Sequence, residues 1–403
     1  MSLNWSALIV PTFILFAGLE FLIARQKKLN VFSFDESVTN ISIGIAERLL
    51  SIFITLSFYD VVKYIHDNYG IFDIPANPLT FILLLLAADL VWYWYHRLGH
   101  EVNVLWAAHV VHHQSEDFNY TVSARITVFQ GIIRNCFWCI LPLMGFAPYM
   151  VTTVLIVHGA YSFFTHTQVV GKLGWLEKIL VTPSHHRVHH GANEKYLNKN
   201  YGDIFIFWDK LFGTYQPEEE RPVYGLTHPL RSQSFLWAHF HYYLELMVAA
   251  SRKKNLREKI FVWFDKPESV DQNIRVGLER RFLRKTHQGR AIEFNQYVVW
   301  QVLILLVILF LTVLFSNAIT ALEFTGITAF VLITLINCGA ILEQKRYIFY
   351  IEYIRLWIIL GLAVAHFDDY SIIFIGAVFT VLTVSSSTVR DRYFQIIYSE
   401  KKP

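Results

Sequence analysis

The chain has 403 residues; 54% are hydrophobic, 16% aromatic and 17% charged, and the net charge is +3. Soluble domains average about 25% charged residues, so this balance excludes a soluble or disordered chain and points to an all-α integral membrane protein. The small net charge speaks against nucleic acid as a partner, and three cysteines exclude a disulfide scaffold.

A membrane-spanning helix needs about 20 mostly apolar residues. Residues 6–24 qualify, followed by Arg25, Lys27 and Lys28. The positive-inside rule puts that basic end in the cytosol and the N-terminus outside. Residues 41–62 make a weaker second span, and residues 79–95 a strong third that runs into His96. Trp92, Tyr93, Trp94 and Tyr95 form an aromatic belt at its end. Residues 126–144 and 149–164 read as a membrane hairpin with both ends on one side. Residues 172–296 carry no span and hold 20 of the 35 Lys and Arg, which predicts a soluble, cytosolic block. Four more spans are predicted at 297–315, 326–342, 347–365 and 371–388. The expectation is about nine transmembrane helices with a cytosolic helical cap, in three parts: 1–78, 79–296 and 297–403.

Seventeen histidines are present, unevenly spread. His96 and His100 are i, i+4, on one helix face. His109, His112 and His113 are i, i+3, i+4, and His186, His189 and His190 repeat that spacing. His166 ends the hairpin and His185 precedes the last group. All fall at predicted cytosolic ends of spans or just beyond them. Neutral imidazole is a common nitrogen ligand for zinc, copper, iron and nickel, and eight to ten rings suit two ions rather than one. An all-nitrogen site fits iron or zinc, and residue types do not separate them. A transporter would place its ligands near the bilayer midplane in broken helices, which this pattern lacks.

Several neighbours are candidates for support. Asp89 lies two turns before His96 and is expected to orient His96 or His100. Glu101 points about 100° away from His100 on a helix, a poor direction for a ligand. Glu116 and Asp117 follow the second cluster. Asn119 and Arg125 lie close enough in sequence to hold a polar head group.

The three clusters, in order, resemble the histidine boxes of the fatty acid hydroxylase superfamily, membrane di-iron enzymes that include sterol desaturases. The stretches 96–109, 112–119 and 182–191, with Tyr201-Gly202-Asp203 and Trp208-Asp209, are most similar to the alkylglycerol monooxygenase branch. The resemblance implies a catalytic domain over 79–296, two iron ions, O2, a membrane lipid as substrate and oxygen insertion at an unactivated C–H. In that branch the carbon beside an ether oxygen is attacked, and the reductant is tetrahydrobiopterin. The boxes leave hydroxylation, desaturation and ether cleavage open. The chain has no haem, dinucleotide or iron–sulfur motif, so an external electron donor is expected. Glu101 first, then Glu116 or Asp117, is expected to bind the pterin.

Overall fold

The computed structural model describes residues 3–283 and 294–398. Those residues are helical; no strand occurs among them, only the isolated bridges Leu180 to Phe205 and Gly191 to Tyr224. The chain starts with α1 (Ile9–Gln26), α2 (Phe34–Tyr69) and α3 (Pro78–Glu101). Asn77 and Thr80 cap α3 reciprocally and Pro78 occupies its first turn, which starts the helix sharply. It ends where Val102 turns extended, and α4 (Asn103–His109) restarts at once.

Short helices follow: α5 (Tyr120–Ser123), α6 (Val128–Trp138), α7 (Ile140–Leu143), α8 (Pro148–Thr165), α9 (Pro183–His189) and α10 (Phe207–Leu211). Next come α11 (Phe235–Ser251), α12 (Leu256–Phe264) and α13 (Gln272–Phe282). The last group is α14 (Gln296–Leu314), α15 (Ala321–Leu342), α16 (Ile348–Phe367), α17 (Ser371–Val384) and α18 (Ser387–Tyr398).

Among the described residues, five helices are long and apolar enough to cross a membrane: Trp5–Gln26, Pro78–Glu101, Gln296–Leu314, Ala321–Leu342 and Ile348–Phe367. The number rises to seven if two bent pairs each count as one span. These are Phe34–Ile52 with Ser57–Tyr69, bent by 50°, and Ser371–Val384 with Ser387–Tyr398, bent by 85°. The described residues thus offer five to seven candidate spans against the expected nine. The difference lies in the hairpin. Val128–Leu143 is short and broken near Cys139, and α8 carries His158 and several hydroxyl residues. Both are drawn against α3 by a small apolar cluster that includes Leu84, Ala88, Trp138, Leu141, Met150 and Val154.

The main core joins all three parts of the chain. Ile43 and Leu49 of α2, Val111, Leu246 of α11, Leu305 of α14 and Leu335 of α15 pack in one cluster. In the C-terminal helices one carboxylate organises the polar groups. Glu352 accepts from Tyr297 Oη (2.7 Å), Asn337 Nδ2 (2.8 Å) and Tyr393 Oη (3.0 Å), and it pairs with Arg355 (2.6 Å). An acid in an apolar helix persists when it is paired and bonded in this way.

Candidate metal centre

Each histidine box has a local reason for its geometry. The last turn of α3 puts His96 and His100 on one face. The next helix tightens from α into a 3-10 turn at Val110–His113, which swings His109, His112 and His113 into the same space. His166 caps the end of α8. Thr182 and Pro183 start α9, which carries His186 and His189, with His190 at its end.

These nine rings form two groups. His96, His100, His109, His113 and His189 place ligand nitrogens within 4.8 Å of one another, and so do His112, His166, His186 and His190. The groups adjoin: the His113 ring lies 4.4 Å from that of His190. The second box feeds both groups, since His109 and His113 join one and His112 the other.

Backbone carbonyls fix the tautomers. Nδ1 of His96 lies 2.9 Å from Tyr201 O, that of His112 3.3 Å from Arg125 O, that of His166 2.8 Å from Ser162 O, and that of His189 3.0 Å from Lys199 O. A neutral ring that donates from Nδ1 has only a lone pair on Nε2. Yet His166 Nε2 sits 3.1 Å from His112 Nε2, so two lone pairs face each other with no proton between them. His186 Nε2 is a further 2.9 Å from His166 Nε2. A cation resolves the conflict: metal–imidazole bonds of about 2.0–2.1 Å put adjacent nitrogens about 3 Å apart. His100 Nε2, His189 Nε2 and His190 Nε2 are buried without a hydrogen-bond partner, which a metal would also satisfy. Burial first, then the neighbouring imidazoles, holds His112, His113, His186 and His190 well below the ordinary imidazole range. Burial does the same for His109 and His189. Neutral imidazole is the form that binds metal. The donor set fits the implied pair of ions.

Aromatic rings wall the site. Trp106 lies 4.9 Å from His100 and Tyr201 5.3 Å from it, while Phe118 lies 5.0 Å from His190 and stacks on Tyr224 at 4.9 Å.

The structure places the remaining candidates differently. His185 lies outside both groups. Its Nδ1 accepts from Thr182 N–H at 3.3 Å, completing the cap of α9, and its ring packs on Tyr215. Asp89 does not touch His96 or His100. Its two oxygens accept from Ile204 N (2.9 Å), Phe205 N (3.0 Å) and Trp208 Nε1 (3.0 Å). It anchors the loop that delivers the Tyr201 carbonyl to His96. Asp203 of the same loop pairs with His158 Nδ1 at 2.7 Å, and Asp209 accepts from Tyr201 N and Gly202 N. A Cβ at Gly202 would lie 2.7 Å from Phe205 O and 2.9 Å from Asp209 Oδ2, so the close turn requires glycine.

Arg125 is buried and spends its guanidinium on Val111 O, Asn40 Oδ1 and Gln114 Oε1. It has no donor turned to a head group, and its carbonyl, rather than its side chain, serves the site. Asn119 caps α5 and donates to Val31 O. Glu101 pairs with Arg97 at 2.9 Å. Asp117 accepts from Ser33 N–H and Oγ–H; burial pushes its carboxyl up to about 6 against those two bonds. Glu116 is exposed, and neither it nor Asp117 belongs to a histidine group.

Residues 81–214 match the family model described as fatty acid hydroxylase. The alkylglycerol monooxygenase of Homo sapiens is 35% identical over 77% of this chain and 71% of its own length. That of Danio rerio is 32% identical over 81% of this chain and 74% of its own. The chain belongs to the fatty acid hydroxylase superfamily and is similar to its alkylglycerol monooxygenases. An ornithine lipid hydroxylase of Rhizobium tropici is 32% identical over 37% of this chain and 47% of its own length. No solved structure matches significantly. The superfamily model covers α3 from residue 81 on, both histidine groups and residues 201–209, so the matched segment is also the segment that builds the site.

Proposed function

We propose that this chain is a membrane-bound di-iron monooxygenase that inserts one oxygen of O2 into a lipid C–H bond. The carrying observation is the pair of buried imidazole groups, with opposed Nε2 lone pairs at His112 and His166. His96, His100, His109, His113 and His189 would hold one iron, and His112, His166, His186 and His190 the other. The metals, when bound, supply the activation of O2.

The protein's own residues do the rest. The carbonyls of Tyr201, Arg125, Ser162 and Lys199 hold the imidazole Nδ1–H groups and so keep each ring turned inward. Trp106, Phe118, Tyr201 and Tyr224 keep bulk water from the centre. A lipid enters from the bilayer side of α3, with the site on the cytosolic face. Insertion of one oxygen atom reduces the other to water, which consumes two electrons and two protons. The donor comes from outside the chain. Likeness to the alkylglycerol monooxygenases favours an alkylglycerol attacked beside its ether oxygen, and tetrahydrobiopterin as reductant. Glu101, at the end of α3 beside His100, is the carboxylate assigned to the pterin; Asp117 is committed to Ser33.

The test is purified protein with an alkylglycerol and either tetrahydrobiopterin or a reduced b-type cytochrome system. Two metal ions per chain and aldehyde release with the pterin are expected. One ion or none would overturn the metal assignment. Turnover with the cytochrome alone would overturn the pterin. Oxidation of a sterol or acyl chain, with the alkylglycerol untouched, would leave the reaction class and replace the substrate.

A further inference from the structure

The helix α12 is amphipathic in the wrong direction for a water-soluble surface. Val262 turns inward and is buried. At 100° per residue, Leu256, Ile260, Phe261, Trp263 and Phe264 form an arc on the opposite side, interrupted by Arg257 between Phe264 and Phe261. Leu256 is 72% exposed and Phe264 62%. A surface helix in water buries that arc, and a contiguous exposed apolar patch of this kind marks a contact surface.

Three observations say what covers it. The first is position. Asn103, just past the end of the span α3, donates its N–H to Asp265 O (2.9 Å) and its Nδ2 to Val262 O (2.8 Å). It also accepts from Tyr242 Oη (2.6 Å). The C-terminal end of α12 is therefore tied to the chain immediately after α3, on the side of the membrane where that helix ends. The second is charge. Residues 252–268 hold six Lys and Arg against three acids, Glu258, Asp265 and Glu268. The third is the neighbouring helix. Exposed Leu236, Phe240 and Met247 line α11, and Phe129 of α6 meets Phe240 at 6.0 Å. The helix preceding α12 thus exposes an apolar stripe of its own.

We propose that α12 is an interfacial helix that rests in the anionic leaflet at the end of α3. Its apolar arc lies among acyl chains, and Lys253, Lys254, Arg257 and Lys259 engage lipid headgroups. A groove of about 460 Å³ between α4 and α12, lined by Val104, Leu256, Lys259, Ile260, Trp263 and Phe264, then opens to hydrocarbon and takes a lipid chain. The groove lies on the helix that carries Trp106, whose ring packs on His100. This changes the expectation for residues 172–296: part of that block is membrane-associated.

The test uses the full chain with Cys136 and Cys139 changed to Ser and buried Cys338 retained. Nitroxide labels go on Ile260→Cys, Phe264→Cys and, as an exposed reference, Glu219→Cys. Leu256→Cys replaces either labelled site that fails to yield folded protein. Vesicles contain phosphatidylcholine with or without phosphatidylserine. Expected is strong relaxation by O2 and several-fold protection from a water-soluble nickel chelate at 260 and 264, relative to 219. Nickel access at 260 equal to that at 219 would overturn the proposal. So would protection from both reagents with spin–spin broadening that unlabelled protein dilutes away, since a second copy would then cover the arc. Protection at 260 that deepens with phosphatidylserine, and loses that response in Lys254→Glu/Lys259→Glu, supports the charge component; indifference to phosphatidylserine overturns it.

Discussion

The imidazole tautomers carry most of the chemical information at the scale of single residues. Each ring held by a carbonyl has one nitrogen committed and one free, so a ring removed leaves its partners with an uncompensated site. His112→Ala should therefore lose metal and turnover together, measured by elemental analysis and product release on the same preparation. His185→Ala should keep two metal ions and most turnover while costing about 1–3 kcal/mol of stability through its cap and its buried volume. Retained activity in the first variant, or metal loss in the second, would reverse their assigned roles. The pH response follows from the depressed basicity of His109, His112, His113, His186, His189 and His190. An unfolded histidine titrates near 6.5. Between that value and the lower folded value the unfolded chain binds more protons, so stability rises with pH in that window and is flat above it. Each ring contributes a slope of up to about 1.4 kcal/mol per pH unit. Thermal unfolding of metal-stripped protein should thus weaken steeply on acidification below pH 6.5 and change little from 7 to 8.

The segment from residue 197 to 209, a loop and the start of α10, ties α3, α8 and α9 together at the site. It delivers two carbonyls, from Lys199 and Tyr201, and it is held by three acids from below and within: Asp89, Asp203 and Asp209. Asn198 and Asn200 adopt positive φ there, at 58° and 55°, a conformation that asparagine tolerates better than most residues. Asp89 accepts three N–H groups while itself fully buried. Asp89→Asn puts an amide NH2 among those donors. The expected cost is about 2–4 kcal/mol of stability and a 10–100-fold loss of metal affinity. Competition against a chelator reads the affinity, and a variant with unaltered metal affinity would detach the loop from the metal centre.

The whole molecule is a membrane protein whose histidine groups gather at the end of one span. The basic residues after α1 and through 172–296 predict that this end is cytosolic. Asp73→Cys should react with an impermeant thiol reagent from outside, and Glu219→Cys only after the membrane is permeabilised. The reverse pattern would move the site to the other face. The C-terminal helices share the main core with α2 and α11, so removing residues 297–403 should expose that core and leave protein that aggregates on detergent extraction, as size-exclusion chromatography would report.

Composition and histidine spacing alone determined the membrane class, the all-helical fold and eight of the nine clustered rings. The reason is that hydropathy and helical periodicity are local properties: i, i+3 and i, i+4 neighbours meet wherever the helix goes. His166 was also legible, from its place at the end of the hairpin. Only the tertiary structure decided the division into five and four, because which box serves which group depends on how α3, α4, α8 and α9 cross. It alone removed His185, whose neighbours in sequence belong to the groups although its own ring points to Tyr215. It alone showed that the groups orienting the rings are backbone carbonyls, which every residue possesses and no residue type announces. Asp89 looked like a partner for His96 because two turns separate them along α3, yet the loop arriving from more than a hundred residues away supplies three donors and claims the carboxylate. The span count differs for a local reason: residues 126–165 are apolar enough to suggest a hairpin, but Pro142 cannot bond the carbonyl four residues earlier and the first half breaks near Cys139.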